Sequence, residues 1–305
     1  MPSPFSLSPE AIVALARRSR INALLPHELD YRGLSFGRLA AFRARVLIEW
    51  ALQTALMKPE YRKRLRDTRG ESDTVVGSAA LVLATGPSLN TLDIAAAQRF
   101  QNEGNKIFAV NFYNETEVAS QITPDYYVLA DPVFLHQWRE TDRAKETWEY
   151  IQSSKKMRVY VPHHIDVGTL PKGVTYGFFN GLGLDGWSRN ISPLKPRGFP
   201  GITAYHALAL ALYMGARPTF FIGIDNNAFS FLRPSPTGGV VLDGHHAYVD
   251  ERVYDVHPAS EPAANVLEDF ARVFDSLRLF PASQLRNLAS TSLITRFNTS
   301  SLSDY

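Results

Sequence analysis

Two histidines in the last third of the chain have the chemistry of a general base. His257 precedes a proline, and His246 lies in a His-His-Ala-Tyr sequence. An imidazole has an unperturbed pKa of about 6.5, so it is mostly neutral and still basic near pH 7. Either histidine can accept a proton from a hydroxyl group, or can be an ordinary surface residue. The proline- and glycine-rich segment around them predicts a lid loop near 231–257.

Residues suited to ligand contact also stand directly after three apolar segments that are expected to form strands. They are Thr85, Gly86, Pro87 and Ser88 after the first segment, Asn111 after the second, and Asp131 after the third. In an open parallel sheet, ligands bind beyond the carboxyl ends of the strands, where backbone amides and a helix N-terminus receive phosphate. The sequence therefore predicts a nucleotide-binding edge. The glycine turn itself matches neither the dinucleotide fingerprint nor the Walker loop.

Each of these residues suits a particular contact. Gly86 lets the backbone come close to a ligand, so Gly86→Val is expected to abolish nucleotide binding while the fold survives. The Asn111 amide can donate and accept at once, as recognition of a base or ribose requires, or it can be an ordinary turn asparagine. Asp131 can bind a ribose hydroxyl or Mg²⁺, or it can cap the helix that follows.

Short apolar segments alternate with helical segments from residue 75 onward. The predicted strands are 79–84, 106–110, 126–130, 158–161 and 219–222. Continuously apolar strands separated by helices indicate a parallel sheet that is covered on both faces. A nearly all-apolar helix predicted for 205–214 fits a crossover buried against that sheet. We therefore predict an α/β fold with a Rossmann-like parallel sheet and helices on both faces.

A basic helical segment precedes this pattern. Residues 11–25 and 39–56 carry apolar side chains at helical spacing, interleaved with arginines, and a polar stretch at 67–73 follows. We predict that residues 1–74 form an N-terminal helical segment and that 75–305 form the catalytic domain. The basic helices either pack on that domain with a solvated face, or attach to an anionic membrane or a partner chain.

The composition excludes several kinds of protein. The 305 residues include no cysteine, which rules out disulfides, thiolate metal sites and a cysteine nucleophile. The formal net charge of +2 is too small to indicate a nucleic-acid binder. No signal-peptide pattern is present, and no apolar run approaches the roughly 18 residues that span a bilayer. We expect a cytoplasmic protein, peripheral at the inner membrane if its basic helices bind lipid.

Four motifs, taken in order, resemble the bacterial sialyltransferases of glycosyltransferase family 42. They are Gly-Pro-Ser-Leu after the first strand, Asn-Phe-Tyr after the second, Ile-Thr-Ala at 202–204, and Gly-Ile-Asp ending at Asp225. The resemblance covers roughly residues 79–297. It extends to the related MptE-like proteins, which include a pterin pyrophosphokinase and flagellin-glycosylation factors. It implies a transferase of bacterial polysaccharide biosynthesis that uses a nucleotide-activated sugar.

The resemblance also implies a donor site. In the sialyltransferases the donor is a CMP-activated sugar, and neither a metal ion nor another cofactor is required. Thr85, Gly86 and Ser88 would then line the donor phosphate. Asn111 would hold the nucleotide, and Thr203 would stand where a serine contacts the sugar or phosphate.

The catalytic base of the sialyltransferases is a histidine that deprotonates the acceptor hydroxyl. His257 has the family's catalytic spacing before a predicted helix, whereas His246 resembles a His-aromatic-Tyr motif of the relatives, so the family spacing favours His257 as the base. The family also places a tyrosine two residues after Gly-Ile-Asp to stabilise the departing phosphate, but this chain has Asn227 there. Asn227 and the later Arg233 can stabilise developing negative charge instead. This departure leaves the donor sugar open.

Two other functions remain open from the sequence. A pyrophosphokinase-like enzyme would use Mg-ATP, with Asp131 and Asp225 on the metal. A non-catalytic protein of a surface-polysaccharide pathway would bind nucleotide without turnover. For the transferase, the expected partners are the nucleotide-sugar donor and a glycan acceptor, and self-association is compatible with the sequence.

Overall fold

A computed structural model gives the structure of residues 36–135, 141–182, 191–196, 202–234, 240–242, 246–248, 254–256, 277 and 280–305. The strands within these residues are β1 (Ala80–Leu83), β2 (Lys106–Val110), β3 (Tyr126–Val128), β4 (Arg158–Pro162), β5 (Thr175–Phe179), β6 (Thr219–Ile222), β7 (Leu232–Pro234), β8 (Val240–Leu242), β9 (Tyr254–Val256), β10 (Leu285–Asn287) and β11 (Asn298–Thr299). A parallel sheet has the order β11-β10-β6-β1-β2-β3-β4-β5. Strands β7, β8 and β9 form a separate antiparallel sheet.

The five strands predicted from the sequence are β1, β2, β3, β4 and β6. Strand β1 and strand β6 are buried along their whole length, which explains why every residue in them is apolar or small. The prediction missed β5, β10 and β11. Strand β5 lies at the edge of the sheet and is only partly buried, and its Gly177 makes room for the Tyr160 ring. Strands β10 and β11 are too short to show a pattern.

Helices cover both faces of the parallel sheet. The α-helices of the described residues are α1 (Phe36–Ala55), α2 (Pro59–Arg69), α3 (Ile94–Asn102), α4 (Asp142–Ser153) and α5 (Thr203–Tyr213). Phe100 of α3 and Trp148 of α4 belong to the core on one face. Leu208 and Leu210 of α5 belong to the core on the other. The predicted α/β fold is therefore confirmed, and the helix predicted for 11–25 lies outside the described residues.

The helices begin differently, and the difference matters for the site. The Asp93 side chain accepts a hydrogen bond from the Ala96 amide at 2.9 Å and so caps α3. The Thr141 hydroxyl accepts from the Ala144 amide at 3.3 Å and caps α4. Helix α5 begins after Ile202, which offers no side-chain cap. The Tyr205 amide donates to the Ile202 carbonyl at 3.0 Å, so among the described residues the Thr203 and Ala204 amides are the ones left for another acceptor.

Helix α2 of the N-terminal segment is attached to the edge of the sheet. The Thr68 hydroxyl donates to the Phe178 carbonyl of β5 at 2.7 Å. The Arg64 guanidinium donates to the carbonyls of His163 and Ile165 at 2.7 and 2.6 Å. These bonds satisfy backbone groups at the edge strand and just beyond β4, so α2 covers a margin that would otherwise be open to another strand.

The polar stretch at 67–73 also contacts the sheet. The Glu71 carboxylate forms an ion pair with Arg158 and accepts a hydrogen bond from the Tyr160 hydroxyl, both on β4. The Glu71 side chain is largely buried, at 14% exposure. The domain boundary at residue 74 stays a prediction, but residues before it bind the sheet directly.

His163, whose buried ring lies 5.7 Å from the Tyr61 ring of α2, makes the folded chain sensitive to acid. Burial, followed by the charge of His164, lowers the pKa of His163 to about 3. An unfolded histidine takes up its proton near pH 6.5. Between this pH and the lowered pKa, the unfolded chain therefore binds one proton more than the folded chain. The free energy of unfolding should then fall by up to about 1.4 kcal/mol for each pH unit between about 6 and 3.

Urea unfolding of the wild type and His163→Leu across this pH range measures the effect. The leucine variant should lose the part of the pH dependence that belongs to this imidazole, because its side chain does not titrate. Parallel pH profiles for the two proteins would refute the assignment.

The segment near 231–257, predicted as a lid loop, contains the three short strands β7, β8 and β9. Strand β8 lies between the other two, with Val241 paired to Arg233 and to Asp255. Whether this small sheet moves over the site stays a prediction. Within the part of the chain that the structure describes, none of the helices is long and apolar enough to cross a membrane.

Candidate functional site

Two closely packed glycines join the carboxyl ends of β1 and β6. The Gly86 amide donates to the Gly223 carbonyl at 2.8 Å, and Gly223 has a φ of 78°. A Cβ on Gly223 would lie 2.2 Å from the Ala84 oxygen, and one on Gly86 would lie 2.5 Å from Asp225 Oδ2. The close approach that Gly86 permits is therefore to the neighbouring strand end. A valine at position 86 would disturb this junction, so the survival of the fold in Gly86→Val stays a prediction.

Ser88 and Asp225 lock the same junction through buried hydrogen bonds. The Ser88 amide donates to Asp225 Oδ2 at 2.9 Å, and the Ser88 hydroxyl accepts from the Gly223 amide at 3.0 Å. Pro87 begins the short 3₁₀ helix that contains Ser88. The Ser88 amide is therefore already bonded to a carboxylate, whereas the Ser88 hydroxyl accepts one bond and keeps its own hydrogen to donate. The role of this turn in holding phosphate stays a prediction.

Asn111 is held in an unusual conformation at the end of β2. Its φ is 47°, in the left-handed region, and its Oδ1 is buried with no hydrogen-bond partner among the described residues. The Tyr127 hydroxyl, on the adjacent strand β3, donates to the Asn111 carbonyl at 2.5 Å. Burial raises the pKa of Tyr127 well above its ordinary value, so this hydroxyl keeps its proton. The turn is therefore fixed while the amide oxygen is left over.

Thr203 is the first residue of α5, and it is buried. Helix α5 packs across β6, β1, β2 and β3, and it runs back from the carboxyl ends of these strands toward the start of β6. Its N-terminus, which carries the positive end of the helix dipole, therefore lies at the edge where Asn111 and the Thr85 turn are found. The structure thus brings the predicted Thr203 to the predicted site.

The His246–Tyr248 segment lies against the turn after β1. The Ala247 amide donates to the Thr85 carbonyl at 2.8 Å, and the Asn90 side-chain amide donates to the Ala247 carbonyl at 3.2 Å. The His246 ring stacks on the Tyr248 ring, with centroids 4.7 Å apart and planes at 18°. His246 is partly buried at the same edge. His257 lies outside the described residues, so its predicted role stays a prediction.

The remaining predicted residues are more dispersed. Asp131 is exposed, and its carboxylate accepts from the Val133 amide at 3.0 Å as the cap of a short helix. Asn227 follows β6, and its carbonyl accepts from the Ser230 amide at 2.9 Å. Arg233 lies exposed on β7. Asn227 is thus near the edge, and Asp131 has the capping contact that the sequence left open.

Arg143, which the sequence pattern did not single out, connects parts of this edge. Its guanidinium donates twice to the Glu115 carboxylate, at 2.6 and 2.5 Å. Burial lowers the pKa of Arg143, but Glu115 and then Tyr248 raise it above its ordinary value in total. Glu115 and Arg143 are 28 residues apart, so no local spacing could have indicated the pair.

Comparison with known proteins finds no matching family model and no matching curated protein. Among solved structures, the chain is similar to the MAf glycosyltransferase from Magnetospirillum magneticum AMB-1, with 14% sequence identity and a TM-score of 0.44. The similarity covers 89% of this chain and 43% of that chain, so this chain spans less than half of the length of that structure.

Proposed function

We propose that the chain is an inverting glycosyltransferase, which moves a sugar from a CMP-activated donor to a hydroxyl group of a glycan acceptor without a metal ion. The nucleotide binds at the carboxyl edge formed by β6, β1 and β2. A histidine at that edge removes the acceptor proton. The proposal joins the family-like motifs in the sequence to the geometry of Asn111.

The observation that carries the proposal is the state of Asn111. A buried polar atom without a partner costs about 1–3 kcal/mol. Folded proteins keep such a cost mainly at functional sites, where a binding partner supplies the missing bond. A fixed amide that can donate and accept suits the base or the ribose of a nucleotide.

The start of α5 supports a phosphate contact beside Asn111. The amides of its first two residues, Thr203 and Ala204, have no acceptor among the described residues, and the helix dipole favours an anion there. Thr203 supplies a hydroxyl at the same point. Asn227 stabilises the phosphate as it leaves and takes up negative charge. Arg233 does the same if the small sheet closes over the site.

His246 is the base that the geometry favours, because its segment is bonded to the Thr85 turn. In the proposed step the acceptor hydroxyl gives its proton to the imidazole, and its oxygen bonds to the anomeric carbon of the sugar. The bond from that carbon to the phosphate oxygen breaks, and its electron pair leaves with CMP. His257, which has the family spacing, remains the competing candidate.

The spacing of the carboxylates disfavours the pyrophosphokinase alternative. Asp131 follows β3 and Asp225 follows β6, and strands β1 and β2 lie between them. Three strand spacings amount to roughly 14 Å, whereas Mg²⁺ holds its ligands at about 2.1 Å. One ion therefore does not reach both carboxylates. A chelator separates the two functions, because EDTA should abolish a Mg-ATP reaction and leave the proposed transfer unchanged.

Asn111→Gly tests whether the unpartnered oxygen of Asn111 binds the nucleotide. Glycine adopts a φ of 47° without strain and removes the unpartnered oxygen. The melting temperature should stay the same or rise, while the affinity for CMP should fall about 10- to 100-fold, the effect of one lost bond to a buried partner. Thermal shift and calorimetry with CMP, UMP, GDP, ADP and ATP measure both quantities.

Asp73→Gly is the matched control, because Asp73 has a φ of 58° and lies before β1, at the opposite end of the strands. It should leave CMP affinity unchanged. Wild-type affinity in Asn111→Gly would remove the main support for the site. CMP binding without any donor turnover would instead favour a non-catalytic nucleotide-binding protein.

A further inference from the structure

Side chains of α4 hold the turn that contains Asn111 through hydrogen bonds and a ring contact. Arg143 binds the Glu115 carboxylate with two parallel bonds, and its guanidinium carbon lies 4.2 Å from the centre of the Phe112 ring. One helical turn later, the Thr147 hydroxyl donates to the Asn114 side chain at 2.8 Å. These contacts surround residues 111–115 from the side of α4. The position of Asn111 therefore depends on a helix that starts about thirty residues later in the chain.

The same guanidinium also reaches the segment that carries His246. Its carbon lies 5.0 Å from the centre of the Tyr248 ring, which is buried and meets the Phe112 ring edge-on at 6.1 Å. Tyr248 in turn stacks on His246. Arg143 thus contacts two rings that belong to the two halves of the site.

We propose that Arg143 is a positioning residue, which holds the Asn111 turn and the His246–Tyr248 segment in one arrangement. If the proposed function holds, this arrangement sets the distance between the bound nucleotide and the base. In this role Arg143 acts through the Asn111 turn and the His246–Tyr248 segment that it contacts. The guanidinium lies against both rings while Glu115 fixes its two-pronged face, and a lysine ammonium offers neither the two parallel bonds nor the planar group.

Arg143→Lys is therefore the informative variant, and Arg158→Lys is its matched control. Arg158 also pairs with a carboxylate, that of Glu71, and its guanidinium carbon lies 5.7 Å from the centre of the Tyr160 ring. It is the first residue of β4, however, and so lies at the amino ends of the strands, away from the site. Both variants lose the geometry of a guanidinium, and both should lower the melting temperature. Only Arg143→Lys should change the surroundings of His246.

The readout is the nuclear magnetic resonance signal of the His246 Cε1–H group, assigned by its loss in His246→Gln. The stacked Tyr248 ring shifts this signal in the wild type, so release of the segment should move it toward the value of an unstructured histidine. We expect that movement in Arg143→Lys and not in Arg158→Lys. If Arg143→Lys fails to fold, Glu115→Gln loosens the same fork and should move the signal in the same direction. An unmoved His246 signal in these Arg143 and Glu115 variants would overturn the proposal.

Turnover of a CMP-sugar separates this proposal from the proposed function on which its catalytic role rests. Loss of alignment should lower turnover about 10- to 100-fold in Arg143→Lys while CMP affinity changes little, because a small displacement of a reacting group has that effect. A shifted His246 signal with no CMP-sugar turnover in the wild type would support the positioning role and refute the glycosyltransferase.

Discussion

Gly223→Ala is expected to prevent folding, or to lower the free energy of unfolding by at least about 3 kcal/mol. The φ of 78° is unfavourable for any residue with a Cβ, and the added atom would lie 2.2 Å from the Ala84 carbonyl oxygen. That oxygen belongs to the backbone at the end of β1, which cannot move away without breaking the junction with β6. Position 223 therefore requires glycine, because of its backbone conformation and its close contact with the end of β1.

Gly104→Ala is the matched control for Gly223→Ala. Gly104 has a φ of 94°, but a Cβ there would have no atom within 4 Å. This variant carries the backbone strain without the collision, and it should lose only about 1 kcal/mol. Soluble yield and thermal melting followed by circular dichroism compare the two. Similar melting temperatures for both variants would mean that the junction yields easily.

His246→Ala should lower the rate of sugar transfer by about 10² to 10⁴, which is the usual contribution of a general base. The affinity for CMP should change little, because the imidazole acts on the acceptor and not on the nucleotide. Binding and chemistry would then separate, which is the pattern of a group that acts mainly in the transition state. Donor hydrolysis gives a first assay, since water can replace the acceptor.

His257→Ala distinguishes the two candidate histidines. If His246 is the base, His257→Ala should retain most of the transfer activity. Full activity in His246→Ala together with a large loss in His257→Ala would give the catalytic role to His257, as the family spacing suggests. His245→Ala controls for general disturbance of the segment.

The central strands were predictable because each is buried on both faces and must therefore be apolar along its length. The same reasoning located Thr85 and Asn111 at the carboxyl edge, since parallel strands all end on one side. It could not find β5, whose side chains are only partly buried because it lies at the sheet edge. Burial on both faces is thus the condition under which sequence alone identifies a strand.

The contacts that hold the site together could not be predicted in this way. Ser88 and Asp225 are 137 residues apart, and neither stands in a pattern that names the other. A glycine before a helix usually leaves space for a ligand, and the sequence predicts such space at Gly86. In the structure the end of β6 occupies that space. Arg143 could not be predicted for a similar reason, because it lies on a polar helix and its partner Glu115 is 28 residues away in the sequence.

The position of β1 between β2 and β6 has a consequence for the chain as it is made. Ala80 pairs with Lys106 on one side and with Thr219 on the other. At about 5–20 residues per second, a ribosome needs roughly 7 to 27 s to add the 137 residues that separate Ser88 from Asp225. During that time one side of β1 is bare, and a bare strand edge can pair with another chain. The nascent protein should be most prone to aggregate in this interval.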